Sequence, residues 1–251
     1  MTMPPTSRVF ALVAMFLAVL PATTLPAQAP AASINEVRQI VTFLFQPGRS
    51  AEALAIYDSQ LKPIYANTAP LRRFRAYREA ESPEPLDLVV VSSYAGMDGM
   101  DAANVALRSP SAPGRSAFAL YGALSAIAQS HHDQFVEMLP ALSDTPDDSA
   151  GITVFEYLRV APGEQERFST LLVTGMRRFE REAGLYRWSE TGRMLISDGW
   201  DFLRIHHMRS LGDWQRYRTF QRSGPLGAAM QPMIAARKTL ILRQEPRLSV
   251  R

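Results

Sequence analysis

Leu86-Asp87-Leu88-Val89-Val90-Val91 returns 114 residues later as Trp200-Asp201-Phe202-Leu203-Arg204-Ile205. At the same spacing, Leu71-Arg72-Arg73-Phe74 returns as Leu185-Tyr186-Arg187-Trp188. A repeat of this period implies two copies of one small domain packed on each other. Working outward, each copy opens with an apolar, β-branched run halted by Pro-Gly: Ile40 to Gln46 before Pro47-Gly48, and Thr153 to Ala161 before Pro162-Gly163. Both read as strands ended by turns. A helix follows in each copy. In the second, Phe168, Leu171, Leu172, Gly175, Met176 and Phe179 form a helical apolar stripe.

Leu71 to Arg78 and Leu185 to Thr191 read as second strands, and Leu86 to Tyr94 and Trp200 to Met208 as third strands. Short helices begin near Met97 and Leu211. The copies then diverge, because Ser109 to Ser116 has no counterpart and the spacing falls from 114 to 106. Helices over Phe118 to Gln129 and Pro225 to Ala236 lead into last strands, Asp133 to Leu139 and Thr239 to Gln244. Each copy is thus β-α-β-β-α-β, a split βαβ unit with one sheet face under helices and one bare. A second copy of the same sheet is the simplest cover for the bare face. The expected fold is α+β: two tandem ferredoxin-like repeats, 32–142 and 152–246, packed sheet to sheet as an intramolecular α+β barrel. Residues 143–151 read as an acidic linker and 247–251 as a tail.

Arg8, the twelve-residue apolar run Val9 to Leu20, Pro21, Pro26 and the small residues Ala27 to Ala31 read as a secretory signal peptide over residues 1–31. Twelve residues are too few to span a bilayer core. The expectation is an exported protein, periplasmic or secreted, with no membrane span after cleavage. The chain has no cysteine, so thiolate chemistry, disulfides and cysteine metal sites are excluded. Residues 32–150 carry 9 basic and 14 acidic side chains, whereas 151–251 carry 17 and 10, a contrast that favours docking of the halves. The basic residues form no dense patch interleaved with aromatics, which argues against nucleic acid.

The frame resembles the dimeric α+β barrel superfamily, in which two ferredoxin-like units pack sheet against sheet. More narrowly, Phe155-Glu156-Tyr157-Leu158-Arg159-Val160-Ala161-Pro162-Gly163-Glu164, with Trp214 and Leu240-Ile241-Leu242, is similar to the NIPSNAP and antibiotic-biosynthesis-monooxygenase type of domain. The resemblance implies a small-molecule ligand and cofactor-independent, oxygenase-like activity. It carries over no catalytic residue, because those families often have no universal one.

Alternation along strands is expected to send Leu203, Ile205 and His207 toward the helices, and Arg204, His206 and Met208 into the space between sheets. The same reasoning turns Phe155, Tyr157 and Arg159 inward. Arg204, His206, Tyr157 and Arg159 are therefore the candidate ligand-binding residues: a few polar groups in an apolar pocket, the usual form of a small-molecule site. The structural alternative for Arg204 is an ion pair with an acid of the first copy, Glu137 or Asp133. The four histidines occur as His131-His132 and His206-His207. Neighbours on a strand face opposite ways, so neither pair can chelate as a unit, and no metal is assigned. Haem or metal binding through His206, with Tyr157 or Arg159 nearby, is the second functional class considered, and a non-catalytic interaction or assembly module the third. Association into a homo-oligomer is left open.

Overall fold

The computed structural model describes residues 35–81, 85–110, 116–144 and 151–250, all within the compact unit Ile34–Arg251. Residues 1–31, expected from the sequence to be a signal peptide, and most of the expected linker lie outside the described residues.

Eight strands close into an antiparallel barrel: β1 (Val37–Phe45), β2 (Leu71–Glu81), β3 (Leu88–Tyr94), β4 (Ala128–Met138), β5 (Ile152–Val160), β6 (Trp188–Ile196), β7 (Phe202–Met208) and β8 (Ile234–Gln244). The order around the barrel is β1-β3-β2-β8-β5-β7-β6-β4. Each repeat contributes its four strands as one ferredoxin-like sheet, β4-β1-β3-β2 and β8-β5-β7-β6. The sheets join along two seams, β2 with β8 and β4 with β6. At the second seam Gly192 has no alternative, because a Cβ there would collide with Val136 and the Glu137 carbonyl.

The helices line the outside. The first repeat carries α1 (Ser50–Ile56), α2 (Lys62–Ala66), α3 (Gly96–Arg108) and α4 (Ala117–Ile127). The second carries α5 (Gln165–Leu171), α6 (Arg177–Glu182), α7 (Leu211–Ser223) and α8 (Pro225–Met230). A π-helical turn joins α1 to α2 at Tyr57–Leu61, and another joins α5 to α6 at Leu172–Met176. A rare irregularity at the same place in both halves is a mark of duplication.

Asp87 and Asp201 explain why their position repeats. The Asp87 carboxylate accepts from the Phe45 backbone N–H at 2.7 Å, and Asp201 accepts from Val160 N–H at the same distance. Each ties the start of the third strand to the end of the first. Gly48 and Gly163 follow at φ of 80° and 85°, the left-handed conformation the Pro-Gly turns require.

Several strand limits differ from those the sequence suggests. β4 and β8 each begin five residues earlier than their hydrophobic patterns indicate, because those polar stretches pair with the far halves of β1 and β5. Pairing along a neighbour outweighs weak local β-propensity. The last residues also engage the fold: Val250 bridges to Phe74, and the Ser249 hydroxyl accepts from Ala76 N–H.

Three apolar layers result. The barrel interior is filled by Ile40, Val89, Val91, Val136, Phe155, Leu203, Ile205, Leu240 and Leu242 among others. Under the helices of the first repeat lie a large cluster, from Phe43 and Tyr57 to Leu124 and Leu248, and a small one of Tyr94, Met100 and Ala103. Under those of the second repeat the apolar layer is split in two, around Phe168 and Trp214 respectively.

Candidate functional site

Polar side chains divide the second repeat's layer. The expected orientation of β7 is corrected here: Leu203 and Ile205 fill the barrel, while Arg204 and His206 face the helices. The reason lies in the ladder. Leu203 pairs with Tyr157 and Arg204 with Glu156, and cross-strand partners share a face. β5 is oriented as expected, with Phe155 and Tyr157 inside. Reading the two strands separately put Arg204 and Tyr157 on one side, which their pairing forbids.

Arg204 is completely enclosed. It donates to both Glu180 carboxylate oxygens at 3.2 and 2.5 Å and to the Tyr217 hydroxyl at 2.9 Å. Its acidic partners come from its own repeat, not from Glu137 or Asp133. Glu137 instead pairs with Arg193 across a barrel seam. Glu156 lies 3.8 Å from Arg204, 3.0 Å from Arg237 and 3.6 Å from His206 Nε2. Gln221 links the remainder, donating to Tyr217 and accepting from Arg237. Two carboxylates therefore face two guanidiniums, which compensates the burial of Glu156, Glu180 and Arg204, while Arg237 reaches the surface. Burial opposes the charge of Glu156, but His206, Arg237 and Arg204 prevail and hold its pKa down at about 2. Burial, assisted by Arg204, pushes His206 below the ordinary imidazole range, so the ring stays neutral in an already balanced cluster. About 10 Å³ of free space remains beside Glu156 and Arg204, whereas Gln221 and Arg237 also border a groove of about 990 Å³ between α7 and β8. No group of three or more potential metal ligands occurs among the described residues.

The corresponding space in the first repeat is open. A cavity of about 190 Å³ lies between the β1-β3-β4 face and α3 and α4. Val90 and Ser92 stand where the second repeat has Arg204 and His206, and Ala103 on α3 replaces Tyr217. One wall is apolar, with Phe43, Leu107 and Phe118. The other is a polar rail. Gln39 donates to Asp133 at 2.8 Å and accepts from the Tyr94 hydroxyl at 3.4 Å, and His131 Nε2 lies 3.7 Å from Asp133. His131 also stacks on Phe43, with centroids 6.0 Å apart. Burial raises the Tyr94 phenol, and burial with the nearby Asp133 raises that of Tyr121. Both therefore stay protonated as hydrogen-bond donors.

The four histidines occupy four different surroundings. His131 lines this cavity, His206 sits in the closed network, and His132 lies at the open end of the barrel. His207 is buried at the other end, stacked on Trp188, with Thr153 at 3.1 Å and Glu190 at 3.6 Å. Glu190 forms a two-pronged buried ion pair with Arg38 of the first repeat. Burial is the main force pushing His207 down to about 4. Tyr157 is buried inside the barrel, whereas Arg159 lies at its rim, donating to the Gly199 carbonyl at 2.7 Å and covering the Trp200 ring.

Sequence reasoning did not single out Gln39, Tyr94, Tyr121, Glu180, Tyr217 or Glu190. Glu180 had a detectable signal: it falls four residues after Met176 on an apolar helical stripe. The others take their roles from neighbours brought together only by the fold.

No family model matches the chain, and no curated protein matches it in sequence. Solved structures do. A putative monooxygenase from Lactobacillus acidophilus matches with TM-score 0.58 at 10% identity, over 84% of this chain and 94% of that one. An anthrone oxidase-like protein matches with TM-score 0.59 at 11% identity, over 85% and 92%. A haem-binding protein from Thermus thermophilus matches with TM-score 0.54 at 14% identity, over 85% and 92%. Likeness at such identities concerns architecture, and the architecture of this chain is the ferredoxin-like α+β barrel shared by monooxygenase-like and chlorite dismutase-like proteins.

Proposed function

We propose that this protein is an exported small-molecule-binding protein whose ligand occupies the helix-side cavity of the first repeat. The observation that carries the reading is the contrast between equivalent sheet positions: Glu156, Arg204 and His206 fill the space over one sheet with a charged cluster, whereas Val41, Val90 and Ser92 leave a cavity over the other. An apolar cavity of about 150 Å³ accepts benzene, so about 190 Å³ suits a one-ring ligand. The polar rail favours one with a hydroxyl or carbonyl, and a phenol meets both requirements. Tyr94 and Tyr121 supply protonated donors, and His131 beside Asp133 supplies a base. Taking the proton of a phenolic ligand, which raises its reactivity toward dioxygen, is the contribution these residues would make to cofactor-independent oxygenase-like chemistry. Kinship with the NIPSNAP and antibiotic-biosynthesis-monooxygenase domains is part of this proposal, supported by the likeness of the fold to a monooxygenase and an anthrone oxidase-like protein. Export rests on residues 1–31, which lie outside the described residues.

Ligand-observed NMR with phenol tests the site. Saturable binding to the wild type and its loss in Ser92→Phe are expected; equal binding by both overturns the assignment. For the chemistry, dioxygen uptake with hydroquinone should exceed the buffer rate and fall at least tenfold in His131→Asn while phenol binding persists.

The haem reading draws on the haem-binding neighbour. The surroundings of His206 do not fit it, because Nε2 faces Tyr217 at 3.1 Å and Glu156 at 3.6 Å with almost no space left. A haemin titration should give the same Soret spectrum for the wild type and His206→Ala; a band lost in the variant would restore that reading.

A further inference from the structure

The barrel is closed at one end and open at the other. Arg38, Glu190, His207 and Trp188 seal the first. At the second, a cavity of about 420 Å³ enters the barrel between β1, β4, β5 and β8, within the size range of small-molecule sites, about 300–1,000 Å³. Its deep wall includes Tyr157, whose buried hydroxyl has no hydrogen-bond partner among the described residues. Leaving such a group unpaired is costly. Burial raises the phenol pKa, so the hydroxyl is a donor in need of an acceptor. Lys238 pairs with Tyr157 across the β5–β8 ladder and also lines the cavity. It has a further interaction within the protein, and what matters here is its positive charge. Leu44, Leu86, Trp200 and Leu240 supply apolar surface. Arg159 is engaged in holding the Asp198–Gly199 turn and covering Trp200, which fixes the rim.

We propose that this open barrel end is a second binding site, for a small aromatic monocarboxylate whose carboxylate accepts from Tyr157 and faces Lys238. The ring would lie along Trp200 and Leu240. This site is independent of the cavity in the first repeat, which lies on the other side of the sheet.

The test is calorimetric titration of the full chain with 1-naphthoate. Saturable one-site binding is expected, weakened about five- to tenfold in Tyr157→Phe, as befits loss of one hydrogen bond. Lys238→Gln should weaken it at least tenfold, and neutral 1-naphthamide should bind correspondingly less well. Ser92→Phe, in the other cavity, should leave the titration unchanged. Tyr157→Phe only removes an unpaired hydroxyl, so it reports on binding even if the lysine variant folds poorly. Absence of saturable binding to the wild type, affinity unchanged in Tyr157→Phe, or loss of binding in Ser92→Phe would each overturn the proposal.

Discussion

Beneath the helices of the first repeat the sheet presents Val41, Val90 and Ser92, whereas the second presents Glu156, Arg204 and His206 at the same positions. Tyr65 of the first likewise corresponds to Glu180 of the second, and Ala103 to Tyr217. One set leaves a cavity and the other fills it with charge. The difference teaches that a conspicuous polar cluster can mark the half of a duplicated protein that has become structural. The plainer half kept the space. In the closed cluster the opposite charges offset one another, although both Glu156 oxygens, Arg204 Nε and His206 Nδ1 lack a hydrogen-bond partner among the described residues.

The largest expected effect tests whether the closed cluster is structural. Arg204→Met removes one charge and strands Glu180, leaving Glu156 to Arg237 alone, which should cost about 3–5 kcal/mol in denaturant unfolding. Combining Arg204→Val, Glu156→Val, Glu180→Tyr and His206→Ser installs the first repeat's residues and should recover most of that loss. A mild effect of Arg204→Met alone would break the comparison.

Acid should act next. His207, and in the same direction His206, stay neutral in the fold at pH values where the unfolded chain protonates them. The unfolded state then binds more protons, so stability falls as pH drops from about 6.5 toward 4, by up to about 3 kcal/mol for His207. Glu156 and Glu190 are held low, so their contribution is present above their ordinary range and is lost as pH falls further. Thermal melts of His207→Asn should show a flatter profile between pH 6.5 and 4. An unchanged slope would exclude His207 as its source.

Asp87 and Asp201 provide the matched control, since they do the same work in both halves. Each alanine variant should cost about 1.5–3 kcal/mol, the range for hydrogen bonds to charged groups. Asp87 should be the costlier, because it also accepts from the Ser50 hydroxyl at 2.7 Å. Smallest of all should be Ser92→Phe, at under about 1.5 kcal/mol, because its ring enters existing space. A larger penalty would mean that the cavity cannot accept a ring.

Much of the fold was legible in the sequence. The repeat, the Pro-Gly stops and the turn before each third strand define two β-α-β-β-α-β units, and the need to cover each bare sheet predicts their pairing. The candidate site was less legible. The parity of β5 followed from Phe155 and Tyr157, but β7 has buried residues on both faces and gives no clean alternation. Its orientation depended on register with β5, a relation between residues about fifty apart. Gln39, Tyr94, Tyr121, His131 and Asp133 come from four different elements and share no local pattern.

Local chemistry and repetition were thus enough to determine architecture, because turn formation, strand alternation and burial act over short stretches that the sequence displays directly. Which sheet keeps a cavity over the Val90/Arg204 position was decided only in the tertiary structure. A cavity is the space that packed side chains leave, and whether a charge is compensated depends on partners that meet only when the barrel closes. Arg204 stands out in the sequence in either case; Glu180, Glu156 and Tyr217 around it decide that it closes a space instead of lining one.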